Sequence, residues 1–433
     1  MGVLLLPNKN EEVNLVTDLL KLLTLKYVSR YPSIDFKEAY TVFKEVINEF
    51  KIRMERLKKK SFCLDVDSLK EKQLFKDKYY IHGAFLATIS SYPILYKIAN
   101  RENIKSAVFA KTAMATSCKI LDNINDSVHS FEEAVNSQEN YYRALTSGWF
   151  KFNGENLKWV KKAENSAYEV ASWTYKTIVS NCGKPEVMFN VYVSDVEECV
   201  KGQLESFYQM KEKYVYNNLT LAEYSQRISA KGIGKMWVDI DLCFYEKFLG
   251  RKISQKELKA VRSIRKSLDL LFRSLLFYDD VTDLEEDIEN GIVNSTVMLG
   301  LETGKISLND VTLETGNLIR KLKEGKVTED IIKVGDIFYL VGIEYLNQIK
   351  KYSRLIDADA LIFCARVLRL FLLRKLLKKG IDLTSLKIFF QSLLPFEWIK
   401  ASIPNHLTQY YRIALDIAEN SDTQFTNNKP IFS

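Results

Sequence analysis

Three observations predict that this chain is all-α. Its 433 residues contain only 17 glycines and 7 prolines, while Leu and Lys, which favour helices, are abundant. Apolar residues recur at helical spacing along most of the sequence. There is no run of alternating strands and no Gly-rich phosphate loop, and this excludes the nucleotide-binding α/β folds. We therefore expect a bundle of helices with a large core.

The composition narrows the class of protein further. The formal charge of +7 is spread among 55 acidic residues, so nucleic acid is not indicated as a partner. The 6 cysteines form no CxxC pair, which favours buried, reduced thiols. No signal peptide and no run of about 20 uncharged residues occurs. We expect a cytoplasmic protein. The alternative is peripheral membrane contact through residues 360–379, where Arg366, Arg369 and Arg374 are placed for an amphipathic face.

The first part of the chain is predicted to form helices at 13–29, 36–58, 79–99 and 104–128, with 65–77 a connection or a short helix. Ser33 is the expected N-cap of the helix at 36–58, and Pro93 is expected to kink or break the next. The helix at 104–128 ends in LDNINDS, which places Asp122 and Asp126 four residues apart on one face.

The middle of the chain is predicted to be helical at 137–145, 165–179 and 187–214. Thr220 is then the expected N-cap, with Glu223 completing a capping box, of a helix that runs to residue 248. Gly232 and Gly234 inside that helix cost about 1 kcal/mol each relative to Ala. We therefore expect a kink there, or the close approach of another element.

The stretch 268–300 is the most informative part of the sequence. An apolar helical run turns acidic without a Gly or Pro before Gly291, and Asp279, Asp283 and Asp287 follow at i, i+4 and i+8. On a helix they form one stripe roughly 12 Å long that continues the face of Phe272. Stacked carboxylates repel one another, so this stripe needs a cation or shifted pKa values, and oxygen ligands suit Mg²⁺. The alternative is a solvated acidic helix end.

The rest of the chain is predicted to be helical at 304–324, 327–352, 360–379 and 409–417. We expect one domain over 1–418, with N-terminal helices at 1–75, a core at about 79–300 and C-terminal helices at 305–418. Residues 419–433 are expected to be a flexible tail.

Two acidic motifs give the chain a resemblance to a known superfamily. The first has the form DNxxD and comprises Asp122, Asn123 and Asp126; the second has the form DxxxDxEED and spans residues 279–287. In this order and at this separation they resemble the motifs of class I terpenoid synthases, most closely those of the large-terpene (tetraprenyl-β-curcumene synthase-like) family. The implied fold is a helical bundle around a central apolar cavity.

The chain also departs from that family. Lys119 stands three residues before the first motif, where the family usually has another Asp. The GGKRxRP-like segment with which chain-elongating synthases bind isopentenyl diphosphate is missing. This absence favours cyclisation or elimination of one prenyl diphosphate over condensation of two.

The resemblance implies a Mg²⁺-dependent terpene synthase whose catalytic core lies at about 79–300. Three Mg²⁺ ions, with Mn²⁺ as a substitute, would bind the diphosphate of a linear prenyl substrate of C20 or longer. The substrate would be cyclised or undergo elimination to a terpene, with release of diphosphate. The implied catalytic and metal-binding residues are Asp122, Asp126, Asp279, Asp283 and Asp287. The implied diphosphate contacts are Gln203, Lys231 and Arg412. The oligomeric state is left open.

Three alternatives remain. The first is a chain-elongating or head-to-head prenyltransferase of the same superfamily. The second is a di-iron bundle, which needs Glu-x-x-His pairs on two helices; the sequence has only 3 histidines, so this is disfavoured. The third is a non-catalytic helical scaffold whose acidic helices are merely solvated.

Overall fold

The structure is a computed structural model that describes residues 30–128, 131–152, 158–183, 187–209, 220–379 and 395–420. These residues form helices and no β-strand, which confirms the all-α prediction. The α-helices of six or more residues are α1 (Phe36–Glu55), α2 (Val66–Glu71), α3 (Asp77–Leu95), α4 (Arg101–Val128), α5 (Phe131–Ser147), α6 (Trp159–Cys182), α7 (Met188–Gln209), α8 (Gly234–Phe248), α9 (Gln255–Asn290), α10 (Ser295–Glu302), α11 (Thr315–Glu324), α12 (Val327–Tyr352), α13 (Ala358–Lys379), α14 (Phe396–Ala401) and α15 (Gln409–Asn420).

Several predicted helix ends differ from the observed ones. The N-cap of α1 is Asp35 and not Ser33: its side chain accepts a hydrogen bond from the backbone N–H of Glu38, while Ser33 is buried. Pro93 lies inside the last turn of α3, which ends two residues later at Leu95. The helix predicted at 304–324 is interrupted, with α11 occupying only its second half. The predicted helix at 13–29 lies outside the described residues. The same is true of the tail predicted at 419–433, except for residues 419 and 420, which belong to the helix α15.

The acidic stretch belongs to α9, which runs for 36 residues and packs lengthwise against α12. Gly291 ends α9 with a φ of 67°, a left-handed conformation that favours glycine. Gly335 allows the close packing of α12, because a Cβ there would lie 2.7 Å from the ring of Tyr278. The two long helices therefore fix where the acidic end of α9 lies in the molecule.

Residues 220–233 do not continue one helix to residue 248, as the sequence predicted. Thr220 and Glu223 form the expected capping box, but a π-turn (Tyr224–Ile228) and a 3₁₀ turn (Ser229–Lys231) follow, and α8 begins afresh at Gly234. We call 220–233 the bridging segment. The buried Arg273 of α9 holds it, since its guanidinium donates hydrogen bonds to the Ser225 carbonyl and the Ser229 hydroxyl, both at 2.8 Å.

The expected close approach at the glycines is confirmed. A Cβ on Gly234 would lie 2.2 Å from the carbonyl oxygen of Leu268 in α9, and one on Gly202 of α7 would lie 2.4 Å from the backbone N of Lys231. Both neighbours are backbone atoms, which cannot move aside as a flexible side chain can. The bridging segment is thus packed tightly between α7 and α9.

We expect Gly234→Ala to lower the free energy of unfolding by about 2–4 kcal/mol, because its methyl group would clash with the α9 backbone. Chemical denaturation measures the change. Gly316→Ala is the control, since nothing lies within 4 Å of a Cβ on Gly316 in α11. It should be neutral or stabilise by up to about 1 kcal/mol. Equal stability of the two variants would contradict the close approach at Gly234.

Two further features bear on the predicted class of protein. All 6 cysteines are free, and five of them are buried, as expected for reduced thiols. Within the described ranges, no helix has the length and apolar character needed to cross a membrane.

The α13 face predicted to be amphipathic includes Arg369, which is instead fully buried, with its Nη2 atom 2.6 Å from Asp336.

Candidate active site

Asp122 of the first motif lies on α4 and is half-buried, with 33% of its side chain exposed. Its carboxylate pairs with Lys119 at 2.5 Å, the lysine that stands where the family usually has another Asp. Asp122 lines a narrow cleft between α4, α5 and α7 together with Cys199 and Gln203. Asp122 and Gln203, both predicted site residues, therefore lie close together. Asp126 lies on the last turns of α4, and its side chain is outside what is described.

The second motif lies near the end of α9 and presents two different faces. Asp279, Asp283 and Asp287 are all half-buried, whereas Glu285 and Glu286 are exposed. The Thr282 hydroxyl lies 3.1 Å from Asp283 Oδ1. The predicted stripe of three aspartates is therefore less exposed than the two glutamates on the same helix turns.

Asp280 belongs to the cluster as well, and the sequence reasoning missed it. Its Oδ2 accepts hydrogen bonds from the Tyr224 hydroxyl at 2.7 Å and from the Ser295 backbone N–H at 3.1 Å. Asn294 joins the group, because its Nδ2 donates to Asp287 Oδ2 at 2.7 Å and to the Asp280 carbonyl at 2.8 Å. The signal was the spacing of Asp280 and Asp287, since residues seven apart share a helix face.

Burial raises the pKa values of two carboxyl groups in this cluster. Burial raises the pKa of Asp280 to about 6, against the hydrogen bonds that stabilise its charge. Burial and then the charges of Asp280 and Asp283 raise the pKa of Asp287 to about 7. Carboxylates that suppress one another's ionisation in this way favour binding of a proton or a cation.

The bridging segment connects the acidic end of α9 to the wall of the cleft in which Asp122 lies. At one end, Tyr224 binds Asp280 of α9. At the other end, the carbonyl oxygen of Lys231 accepts a hydrogen bond from Cys199, which lines the same cleft as Asp122. The Lys231 ammonium donates to Ser206 at 3.1 Å and lies near enough to Asp280 and Asp287 to oppose the rise in their pKa values.

The role of Arg412 as a diphosphate contact stays a prediction. Its side chain is 89% exposed on α15, and its acidic neighbour is Asp416 at 4.0 Å. Across the described ranges, no three His, Cys, Asp or Glu side chains are close enough together to hold a metal ion by themselves. Mg²⁺ commonly takes one or two carboxylates plus substrate phosphates. The donor set of paired, half-buried carboxylates therefore fits such an ion bound jointly with a phosphate ligand.

An apolar pocket lies next to the bridging segment, between α3, α4, α8, α9 and α13. It encloses about 510 Å³ of space between its lining atoms, counting its open mouth, and about 40 Å³ of this is wide enough for water. Leu268 and Phe272 form its α9 wall, on the helix face that continues to Asp279 seven residues beyond Phe272. Trp237 faces Phe272, with ring centroids 6.3 Å apart. The charged cluster thus follows the pocket along one face of α9.

We expect Asp287 to lower the stability of the protein progressively as pH rises from about 4 to 7. The folded state binds the Asp287 proton up to a pH of about 7, whereas the unfolded chain releases it near 3.8. Asp287→Asn removes the ionisable group, while the new amide can still accept a hydrogen bond from Asn294. The variant should therefore be more stable than wild type by about 1–3 kcal/mol at pH 8, and by less at pH 5. Thermal melts at both pH values test the sign.

Solved structures similar to this chain include two of linalool/nerolidol synthase from Streptomyces clavuligerus. The first matches at 11% identity and a TM-score of 0.42 over 70% of this chain and 91% of the other. The second, in complex with 2-fluorogeranyl diphosphate, matches at 11% identity and a TM-score of 0.41, over 76% of this chain and 98% of the other. The chain matches no protein-family model, and no curated protein matches it either. At this level of similarity no activity is assigned, and the likeness to large-terpene synthases stays a prediction.

Proposed function

We propose that this protein is a Mg²⁺-dependent class I terpene synthase that ionises a linear prenyl diphosphate and releases diphosphate. The observation that carries the proposal is the bridging segment, which contacts Asp280 through Tyr224 and the Asp122 cleft through Lys231. The acidic motifs of α4 and α9 are more than 150 residues apart in the sequence, and Lys231 lies between the cleft of the first and the cluster of the second. A solvated acidic helix end would not account for half-buried carboxylates on both helices.

In this proposal the carboxylates of α4 and α9 hold the metal ions. The proposed ligands are Asp122, Asp126, Asp279, Asp283 and Asp287. Asp280, bound by Tyr224 and Ser295, orients the α9 cluster from its buried side. When bound, Mg²⁺ would supply Lewis-acid stabilisation of the charge on the leaving diphosphate.

The protein's own residues have three tasks. Lys231 adds positive charge beside the diphosphate, and Gln203, in the Asp122 cleft, offers an amide to it. The apolar pocket accepts the prenyl chain once side chains such as Phe272 rotate, because its present width is too small. The faces of Phe272 and Trp237 can then stabilise a carbocation. A buried site of this kind keeps bulk water from the cation.

The test is incubation of the protein with Mg²⁺ and linear prenyl diphosphates of C10 to C35, each alone and then with isopentenyl diphosphate. Diphosphate release from one substrate, abolished by EDTA, supports the proposal. Release that needs both substrates would show a chain-elongating prenyltransferase instead. A protein that releases no diphosphate under any of these conditions, and whose melting temperature is unchanged by Mg²⁺ with diphosphate, would be the non-catalytic scaffold.

A further inference from the structure

The apolar pocket contains a buried ion pair that the proposed function does not use. Lys111 of α4 and Asp241 of α8 both line the pocket, both have fully buried side chains, and Nζ lies 2.5 Å from Asp241 Oδ2. A buried pair of charges is costly to desolvate and is weak evidence of a role in stability. Its position in a pocket otherwise lined mainly by apolar side chains therefore calls for another explanation.

The hydrogen bonds of this pair leave one carboxylate oxygen without a donor. The three N–H donors of Lys111 are used by Asp241, by Ser90 at 2.8 Å and by Ser91 at 3.2 Å. Ser90 also accepts from the Trp237 indole at 3.3 Å and donates to the Leu86 carbonyl at 2.8 Å. Asp241 Oδ1, by contrast, has no hydrogen-bond partner among the described residues.

The Ser91 hydroxyl does not close that site. It lies near enough to lower the pKa of Asp241 against the rise that burial causes, yet it does not reach Oδ1 with the geometry of a hydrogen bond. A buried carboxylate oxygen without a donor is costly, because the water lost on burial is not replaced by another hydrogen bond. A ligand that donates one hydrogen bond to Asp241 Oδ1 and is otherwise surrounded by apolar atoms would remove this cost.

The pocket already has room for the smallest such ligand. The part of the pocket wide enough for water is about 40 Å³, and one buried water needs about 10–15 Å³. A water that donates to Asp241 keeps its oxygen lone pairs free on the side facing the apolar space. This is the orientation in which a water can attack a carbocation.

We propose that Asp241 binds the water that ends the reaction, so that the product is a terpene alcohol; this inference rests on the proposed function. The carbon–oxygen bond to diphosphate breaks, and diphosphate leaves with the electron pair. A water lone pair forms the new carbon–oxygen bond at the prenyl cation, and one water proton passes to Asp241 Oδ1. Asp241 returns that proton to solvent when the product leaves, so substrate and water give alcohol, diphosphate and one proton.

Lys111 is a positioning residue in this scheme. Its ammonium fixes Oδ2 of Asp241 and lies 4.8 Å from the centroid of the Trp237 ring, which holds the carboxylate against the pocket wall. Burial raises the pKa of Asp241 above the ordinary value of a carboxyl group, and this makes it a better proton acceptor than an exposed Asp.

The experiment measures the alcohol as a fraction of all product, and the origin of its oxygen. Wild type in ¹⁸O-water should give alcohol labelled from solvent. The double variant Lys111→Met/Asp241→Leu replaces the pair with apolar groups of similar volume, which avoids leaving one buried charge alone. Its alcohol fraction should fall about tenfold in favour of hydrocarbon. Leu318→Ala, in α11, is the control, because it creates a core cavity outside the pocket and should leave the alcohol fraction unchanged.

The outcomes separate the two proposals. Hydrocarbon as the sole wild-type product, unlabelled alcohol, or an unchanged alcohol fraction in the double variant would each overturn the water site while leaving the synthase intact. Absence of diphosphate release from wild type would overturn the proposed function and the water site together. If the double variant fails to fold, Asp241→Asn should also lower the alcohol fraction, because an amide can hold the water but cannot take up its proton. A high-resolution crystal structure of wild type should show an ordered water within hydrogen-bond distance of Asp241 Oδ1.

Discussion

Replacing Asp279 and Asp283 together with Asn is expected to lower the rate of diphosphate release by about a thousandfold. Both side chains lie on the half-buried face of α9 that follows the apolar pocket, and neither amide can supply the negative charge that holds Mg²⁺. The loss should appear in kcat at saturating Mg²⁺, and the melting temperature of the protein without ligands should change little. Steady-state kinetics and thermal melts measure the two quantities.

The matched control is Glu285→Gln/Glu286→Gln. It removes the same formal charge from the same helix, but from side chains that are exposed. Its rate should stay within about threefold of wild type, because exposed charges act weakly on a site across solvent. Equal losses in the two double variants would mean that the general acidity of α9 matters and that its inward face has no special role.

Lys231→Met is the second change with a large expected effect, a fall in diphosphate release of about a hundredfold. Lys231 is the cation of the bridging segment that lies near Asp280 and Asp287. Without it, the charge on the leaving diphosphate loses one stabilising partner. The affinity for inorganic diphosphate with Mg²⁺, measured by calorimetry, should fall in parallel.

Arg227→Met is the control for this variant, since it removes a cation from the same bridging segment. The Arg227 side chain is 52% exposed, and it pairs with Glu205 at 2.7 Å on the outside. Kinetics and diphosphate affinity should match those of wild type. If the Lys231 variant behaves like the Arg227 variant, Lys231 does not belong to the diphosphate site.

The sequence predicted the parts of the site that are local in the chain. The unbroken helix through residues 268–290, its end at Gly291 and the inward stripe at Asp279 and Asp283 all follow from helical spacing and a glycine cap. The Thr220 capping box follows in the same way. Such features depend on residues within a few turns of one another, so a single sequence contains the information.

The features that could not be predicted depend on contacts between distant segments. Lys111 and Asp241 are separated by 130 residues, and nothing local marks either as buried. The spacing of Arg369 predicts an amphipathic face, but its side chain is buried, because its partner Asp336 lies on another helix. The break at 224–233 results from close packing against α7 and α9, which tertiary structure imposes on a stretch whose local pattern is helical.

The irregular winding of the bridging segment has a consequence for how the site tolerates change. Tyr224 and Lys231 must reach opposite helices at the same time, and an inserted or deleted residue between them would rotate one by about 100° relative to the other. Chain length in this short stretch should therefore be under tighter constraint than the identity of the outward side chains. Libraries that vary outward positions such as Arg227 while keeping the register should yield working proteins, and single-residue indels should not.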